Sequence, residues 1–179
     1  MRPIRPMCSF VPIPLFALFL VAGCGGTGDL AGPGDPASAQ ADAVRALEDK
    51  TGAAWTVRFH KDLHTPALLE GRTAPLIATH AAADTAAHAF LADNAAIFRL
   101  RAPREELAPE APEADELGMA HVRLEQHHQG LPVWGHALRV HFDKDGSLLR
   151  VDGRYAPLPA LDRIAPVVSP PEAQAQAIA

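Results

Sequence analysis

Residues 121–153 have the sequence HVRLEQHHQGLPVWGHALRVHFDKDGSLLRVDG, which predicts three consecutive antiparallel strands. In 121–128, Val122, Leu124 and Gln126 alternate with His121, Arg123 and Glu125, and in 133–142 the residues His136, Leu138, Val140 and Phe142 share one face. This period of two is typical of strands that bury one face. The third predicted strand is 147–152, and Gly153 ends it.

Two short segments between these strands contain glycine and predict turns, 129–132 and 143–146. Glycine permits a positive φ in a turn or bulge, and proline fixes its own φ. The residues that we assign to shaping the hairpin are Gln126, Gly130, Pro132, Val133, Gly135, Gly146 and Gly153. Beside the first turn, Trp134 is expected in the core, with a position facing a partner as the alternative.

Upstream of the hairpin, residues 81–96 predict the main amphipathic helix, capped by Thr79 or Asp84. Its apolar stripe, with the residues that follow, is Ala83, Ala87, Phe90, Leu91, Ile97, Phe98 and Leu100. The Pro- and Glu-rich segment 104–118 predicts an exposed loop.

Nearer the N-terminus, residues 39–50 predict a short helix that Gly52 stops. Alternating Trp55, Val57 and Phe59 predict a half-buried strand. The fold class expected for the whole is α+β, with an antiparallel sheet, a β-hairpin plus the following strand, packed against one main helix.

The first 23 residues have the pattern of a secretory signal, with Arg2 and Arg5 before an apolar segment of about a dozen residues. Residues 21–24, Val-Ala-Gly-Cys, are similar to a bacterial lipobox, so Cys24 is the expected lipidation site. The alternative is an ordinary secretory cleavage that leaves Cys24 a free thiol. Residues 24–38, rich in Gly, Pro and Ala, are expected to form a flexible tether.

The composition of the 179-residue chain excludes several function classes. A net charge of −5 without a basic block argues against nucleic-acid binding, and two Cys exclude a disulfide scaffold. None of the nine His is followed by Glu, so the chain has no His-Glu-x-x-His zinc helix. No catalytic, cofactor-binding or metal-binding residue is therefore assigned.

Five histidines within the hairpin raise the question of a metal site: His121, His127, His128, His136 and His141. A turn near Gly130 would set His121 opposite His141, and two imidazoles across a strand pair can bind Zn²⁺. The competing interpretation is that they are half-exposed polar strand positions, and we favour it because a structural zinc site needs four ligands.

Three segments together resemble the fungalysin/thermolysin propeptide motif. They are the helix with Ala87, Phe90, Leu91 and Phe98, the hairpin from His121 to Gly135, and the turn and strand 140–153. Weaker similarity extends the resemblance to about residues 50–160. In that family the motif belongs to the pro-region of secreted zinc proteases and precedes a second small module and the catalytic domain.

The resemblance implies a domain organisation of signal peptide 1–23, tether 24–38, propeptide-like domain 39–163 and the truncated start of a PepSY-like module, 164–179. Ser169 with Glu172 three residues later predicts the capping box of that module's first helix.

The implied function is that of a propeptide, which assists folding of a protease and inhibits it until cleavage. Its partner would be the cognate catalytic domain, in cis or in trans, and zinc and calcium are expected only in that domain. A lipid on Cys24 would attach the chain to a membrane, and the expected location is the bacterial cell envelope, as an outer-membrane lipoprotein or a secreted protein. The alternative is a stand-alone envelope lipoprotein that uses the same fold to bind partners or inhibit proteases.

Overall fold

An antiparallel sheet of seven strands forms one layer of the fold, in a computed structural model that describes residues 36–178. The strands are β1 (Thr56–Phe59), β2 (Pro66–Glu70), β3 (Leu107–Pro109), β4 (Glu113–Ala114), β5 (Ala120–His128), β6 (Leu131–Phe142) and β7 (Leu148–Arg154). Their spatial order is β1-β2-β7-β6-β5-β3, and β4 also pairs with β5. The α+β class is confirmed, and the sheet is larger than the hairpin and following strand that the sequence predicts.

The hairpin between β5 and β6 is closed by a turn of two residues, Gln129 and Gly130. Both have positive φ, +50° and +80°, a combination whose twist matches that of the flanking strands. Pro132 lies within β6 opposite His127, so it does not fix the turn as the sequence suggested. The turn is tighter than the predicted 129–132 because the ladder continues to His128 and Leu131.

A large irregularity interrupts the hairpin. Glu125 lies opposite Ala137, whereas His127 lies opposite Pro132, so residues 133–136 of β6 face only Gln126 of β5. We call residues 133–136 the β6 bulge. A glycine within it, Gly135, has a φ of +72°.

Helices cover one face of the sheet. They are α1 (Pro36–Thr51), α2 (Ala83–Asp93), α3 (Ala95–Phe98) and α4 (Pro103–Glu106), with α5 (Pro170–Ile178) following the sheet. The predicted single helix 81–96 is wrong in its extent, because the chain forms a 3₁₀ turn at His80–Ala82 and then two helices separated by Asn94. The Asn94 side chain donates a hydrogen bond to the Phe90 carbonyl oxygen at 2.8 Å, so this carbonyl oxygen at the end of α2 has a hydrogen-bond partner.

The predicted N-caps of that helix are also wrong. The Thr79 side chain makes no capping hydrogen bond, and Asp84 lies in the first turn of α2 rather than before it. The preceding 3₁₀ turn continues into α2, so Ala82 occupies the cap position.

The first helix is longer than predicted. It includes residues 36–38, which the sequence assigned to the tether, and it ends before Gly52, whose φ is +65°. The rest of the predicted tether, the signal segment and Cys24 lie outside the described residues. Gln40 fixes α1 to the domain, because its buried amide donates to the carbonyl oxygens of His64 and Ile97 at 3.0 and 2.8 Å.

Two further expectations are corrected. Segment 104–118 is not simply an exposed loop, because it contains most of α4, all of β3 and β4, and the buried Leu107. Phe59 is 47 % exposed rather than buried, because the register of β1 shifts between Arg58 and Phe59.

The core lies between the sheet and the helices. Its largest fully buried side chains include Phe98, Phe142, Leu69, Leu91, Ile97 and Leu124. Trp55 stacks on Phe90 with ring centroids 5.9 Å apart and so joins β1 to α2. The predicted apolar residues Ala87, Phe90 and Leu91 are buried on α2, and Phe98 is buried on α3.

The last helix follows Ser169, as the sequence predicts. The Glu172 carboxylate accepts hydrogen bonds from the Ser169 backbone N–H and hydroxyl at 3.0 and 2.7 Å, and these bonds lower the pKa of Glu172. This is the carboxylate half of a capping box. Within residues 36–178, no helix combines the length and apolar character that crossing a membrane requires.

Candidate functional site

Among the described residues, 36–178, no helix covers the second face of the sheet. Alternate residues of its three central strands lie on this side, namely His121, Arg123, Glu125, Ala137, Arg139, His141, Arg150, Asp152 and Arg154. We call this surface the open face. Almost all of its side chains are charged or imidazole, so it differs from the apolar face that packs on α1 and α2.

Ion pairs neutralise part of the open face. Arg123 binds Glu110 and also Glu125, the latter at 3.1 Å, and Arg150 binds Asp152 at 3.1 Å. These residues are partly solvated, so each pair contributes little to stability. Their main effect is to cancel charge locally.

Two arginines of the open face lack such a partner. Among the described residues, neither Arg139 nor Arg154 forms an ion pair or a hydrogen bond through its guanidinium group. Arg154 lies opposite Ala137, the residue directly after the β6 bulge, and Arg139 follows two positions later on the same face. A local excess of positive charge therefore borders the bulge, in a chain whose net charge is −5.

The bulge itself presents an aromatic side chain to solvent. Trp134 is 97 % exposed, so the expectation that it packs in the core is wrong and the alternative position is the one observed. Together with Pro132, Val133 and Gly135, it lines a shallow depression whose other wall is Arg123 and Glu125. The bulge and the open face thus form one continuous surface.

Below the bulge, Gln126 anchors the hairpin from inside. It is 1 % exposed, and its amide Nε2 donates to the Ala156 carbonyl oxygen at 2.6 Å while its Oε1 accepts the Ala156 N–H at 2.9 Å. The sequence indicated a hairpin residue here, but not its partner 30 positions later. Because both amide atoms are bonded, the strand opposite the bulge is held rigidly.

At the opposite end of β5, four side chains form a hydrogen-bonded line. His121 Nδ1 lies 2.8 Å from His141 Nδ1, and their Nε2 atoms contact Asp115 and Asp152 at 3.1 and 2.7 Å. The predicted placement of His121 opposite His141 is confirmed by the strand register. All three bonds form together only when the two rings share three protons, because each Nε2 donates to a carboxylate and one Nδ1 donates to the other.

The environment of this line shifts two pKa values. Burial, with His121 as a smaller contribution, holds the pKa of His141 below its ordinary value, although Asp152 acts in the opposite direction. The pKa of Asp115 is lowered by the Met119 backbone N–H and then by His121. A fourth proton would set two N–H groups against each other across 2.8 Å.

Acidification is therefore expected to destabilise the fold through His141. Its pKa is lower in the folded than in the unfolded chain, so this contribution to stability is complete above the unfolded value of about 6.5 and is lost as the pH falls from there through the lower folded pKa. We expect a decrease of about 1 kcal/mol in the free energy of unfolding, because a fully protonated pair leaves its facing Nδ1–H groups without an acceptor. Urea denaturation at a series of pH values measures it.

The matched variant His141→Gln should flatten this part of the pH profile, whereas His80→Gln, at an exposed position outside the line, should preserve it. An unchanged slope in His141→Gln would show that other groups cause the acid sensitivity.

The histidines do not converge on a metal position. Among residues 36–178, no group of three or more His, Cys, Asp or Glu side chains has an arrangement that could hold a metal ion. His136 Nδ1 instead contacts the Trp134 carbonyl oxygen at 2.9 Å.

Comparison with known proteins identifies the class of module that carries this surface. Residues 105–155 match the family described as Fungalysin/Thermolysin Propeptide Motif. The chain therefore carries the propeptide motif of thermolysin-like proteases, a non-catalytic region, and the match covers β3 to β7 and the open face. The helical residues 87–98, which resemble part of the same motif in sequence, lie outside the matched range.

One curated relative is the thermostable neutral protease NprT of Geobacillus stearothermophilus. It is 43 % identical over 54 residues, which are 30 % of this chain and 10 % of the relative. The chain thus spans about a tenth of the length of that protease. No solved structure matches the chain.

Proposed function

We propose that this chain is part of the propeptide of a thermolysin-like metalloprotease, where it assists folding of the catalytic domain and inhibits it before cleavage. The observation that carries the proposal is the propeptide motif over residues 105–155, which coincides with the exposed surface of the sheet. The catalytic zinc, and any calcium, would belong to the catalytic domain.

The physical basis is selective binding. A secreted protease whose folded state is protected by a high unfolding barrier also folds slowly, because the same barrier separates the unfolded from the folded state. A module that binds the folding transition state lowers that barrier, and continued binding to the native enzyme inhibits it. A rigid sheet with an exposed aromatic residue and unpaired arginines suits such binding, because little of its conformational entropy is lost.

This role also requires export. We propose that residues 1–23 direct it, that Cys24 carries a lipid, and that residues 164–179 begin a second propeptide module. The Ser169–Glu172 contact at the start of α5 supports the last point, since it gives that helix a defined beginning.

Refolding in trans tests the proposal. NprT catalytic domain is denatured and diluted into buffer with or without the purified chain, and recovered activity is measured with a peptide substrate. We expect a severalfold increase in recovered activity with the chain, and inhibition of native enzyme with a Kd of about 1 μM or tighter. Serum albumin at equal concentration is the control.

An unchanged refolding yield together with uninhibited native enzyme would overturn the proposed function. Either effect alone supports it, because assistance and inhibition both require specific binding to the catalytic domain.

A further inference from the structure

We propose that the β6 bulge with Trp134, together with Arg139 and Arg154, is the surface through which this module docks on the protease catalytic domain. The partner surface would offer an apolar pocket for the indole, bordered by carboxylates that pair with the two guanidinium groups. This inference rests on the proposed function and specifies the surface that it uses.

The bulge is an addition that hairpin closure does not require. Gln129 and Gly130 already reverse the chain with a favourable two-residue turn, and the ladder resumes immediately at His128 and Leu131. Residues 133–136 then leave the regular register before pairing returns at Ala137. Bulges commonly redirect a side chain. Here the redirected side chain is the indole of Trp134, which regular alternation along β6 would place on the same face as the buried Leu138 and Val140.

The exposure of Trp134 is unusual for its chemistry. An indole at 97 % exposure leaves a large apolar area in water, whereas most of the apolar residues of the sheet are buried. Leu131, directly after the turn of the same hairpin, is also exposed. Trp and Arg are enriched among residues that dominate binding energy at protein interfaces.

The charges beside the bulge select the partner. Arg123 and Arg150 already bind carboxylates within the module, but Arg139 and Arg154 have no such partner among the described residues. Carboxylates on an anionic protein surface would pair with Arg139 and Arg154, and each guanidinium group can form a bidentate pair. The same charges would repel a basic partner, which gives the surface selectivity.

The support beneath the bulge is rigid. Gln126 lies directly opposite residues 133–136 and is held by two hydrogen bonds to Ala156. The exposed side chains are therefore presented on a fixed backbone rather than on a mobile loop, and a fixed backbone reduces the entropy lost on docking. All of these residues except Ala156 lie within the propeptide motif, 105–155.

The experiment compares five variants of the full chain in binding to NprT catalytic domain and in the refolding assay. The test variants are Trp134→Ala and the double variant Arg139→Glu with Arg154→Glu, and Trp134→Phe is the conservative variant. Their controls are Leu117→Ala, an exposed apolar residue before β5 at the end remote from the bulge, and Arg104→Glu, on α4 in the helical layer. Circular dichroism establishes that each variant is folded.

We expect Trp134→Ala to weaken binding at least about tenfold, and the double arginine variant to weaken it similarly and to reduce its dependence on salt. Trp134→Phe should recover part of the loss, because a smaller aromatic ring still enters an apolar pocket. Both control variants should bind as the wild-type chain does.

The outcomes separate the two proposals. If the wild-type chain assists refolding and both test variants assist it equally well, the docking surface is wrong while the proposed function stands. If the wild-type chain neither assists nor inhibits, both fail. If Trp134→Ala changes only self-association of the chain, measured by sedimentation, the surface is an interface between copies and the docking proposal is overturned.

Discussion

Replacing Gly153 with alanine is expected to lower the free energy of unfolding by about 3 kcal/mol or more. Gly153 has a φ of +133° within β7, a conformation that residues with a Cβ rarely adopt. A Cβ there would also overlap the carbonyl oxygen of Ala137 on the neighbouring strand. Because Ala137 ends the β6 bulge, relief of the overlap would separate β6 from β7 at the base of the proposed docking surface.

The matched control is Gly130→Ala. Gly130 also has a positive φ, +80°, but a Cβ there would contact nothing within 4 Å, so only the backbone strain of about 1 kcal/mol applies. Urea denaturation followed by circular dichroism measures both variants. Equal losses in the two variants would show that the close approach of the strands at Ala137 relaxes without cost.

The second large effect is expected from Gln126→Leu, which should lower the free energy of unfolding by about 2–4 kcal/mol. Leucine has a similar volume, but it would leave the Ala156 N–H and carbonyl oxygen without the two hydrogen bonds that Gln126 supplies in a buried position. The change also detaches the chain after β7 from β5. We expect faster hydrogen exchange at the Ala156 amide.

An appropriate control is Gln174→Leu, an exposed position on α5, where a change within about 0.5 kcal/mol is expected. Stability of Gln126→Leu equal to that of the wild-type chain would mean that water or a rearranged backbone replaces the lost bonds. In that case the bulge would not depend on this anchor.

Together these two positions bear on the proposed function as well as on stability. Gln126 lies opposite the bulge and Gly153 packs against Ala137, the residue after it, and neither is exposed as Trp134 is. A variant at either position that remains folded in part should therefore also bind the protease poorly. Trp134→Ala differs from both, because it removes the proposed contact without disturbing the support.

The sequence by itself determined the strands of the hairpin and which of their residues face the core. Alternation in 121–128 placed Val122, Leu124 and Gln126 on the buried face. The predicted pairing of His121 with His141 is observed, but the two-residue turn alone would set His121 opposite Leu138, and the β6 bulge supplies the rest of the shift in register. The burial pattern follows from local physics, because the period of side chains along a strand is fixed. The start of α5 after Ser169 is equally local.

Features that depend on distant groups were decided by the tertiary structure. The break at Asn94, the pairing of β3 with β5 and the partner of Gln126 each join segments that no local pattern connects. The exposure of Trp134 was also decided by the tertiary structure. Tryptophan is common in protein cores, but here the shift in register between β5 and β6 leaves its side chain in solvent. A register slip exchanges the faces of every residue within it, and only the strand across the ladder determines where pairing resumes.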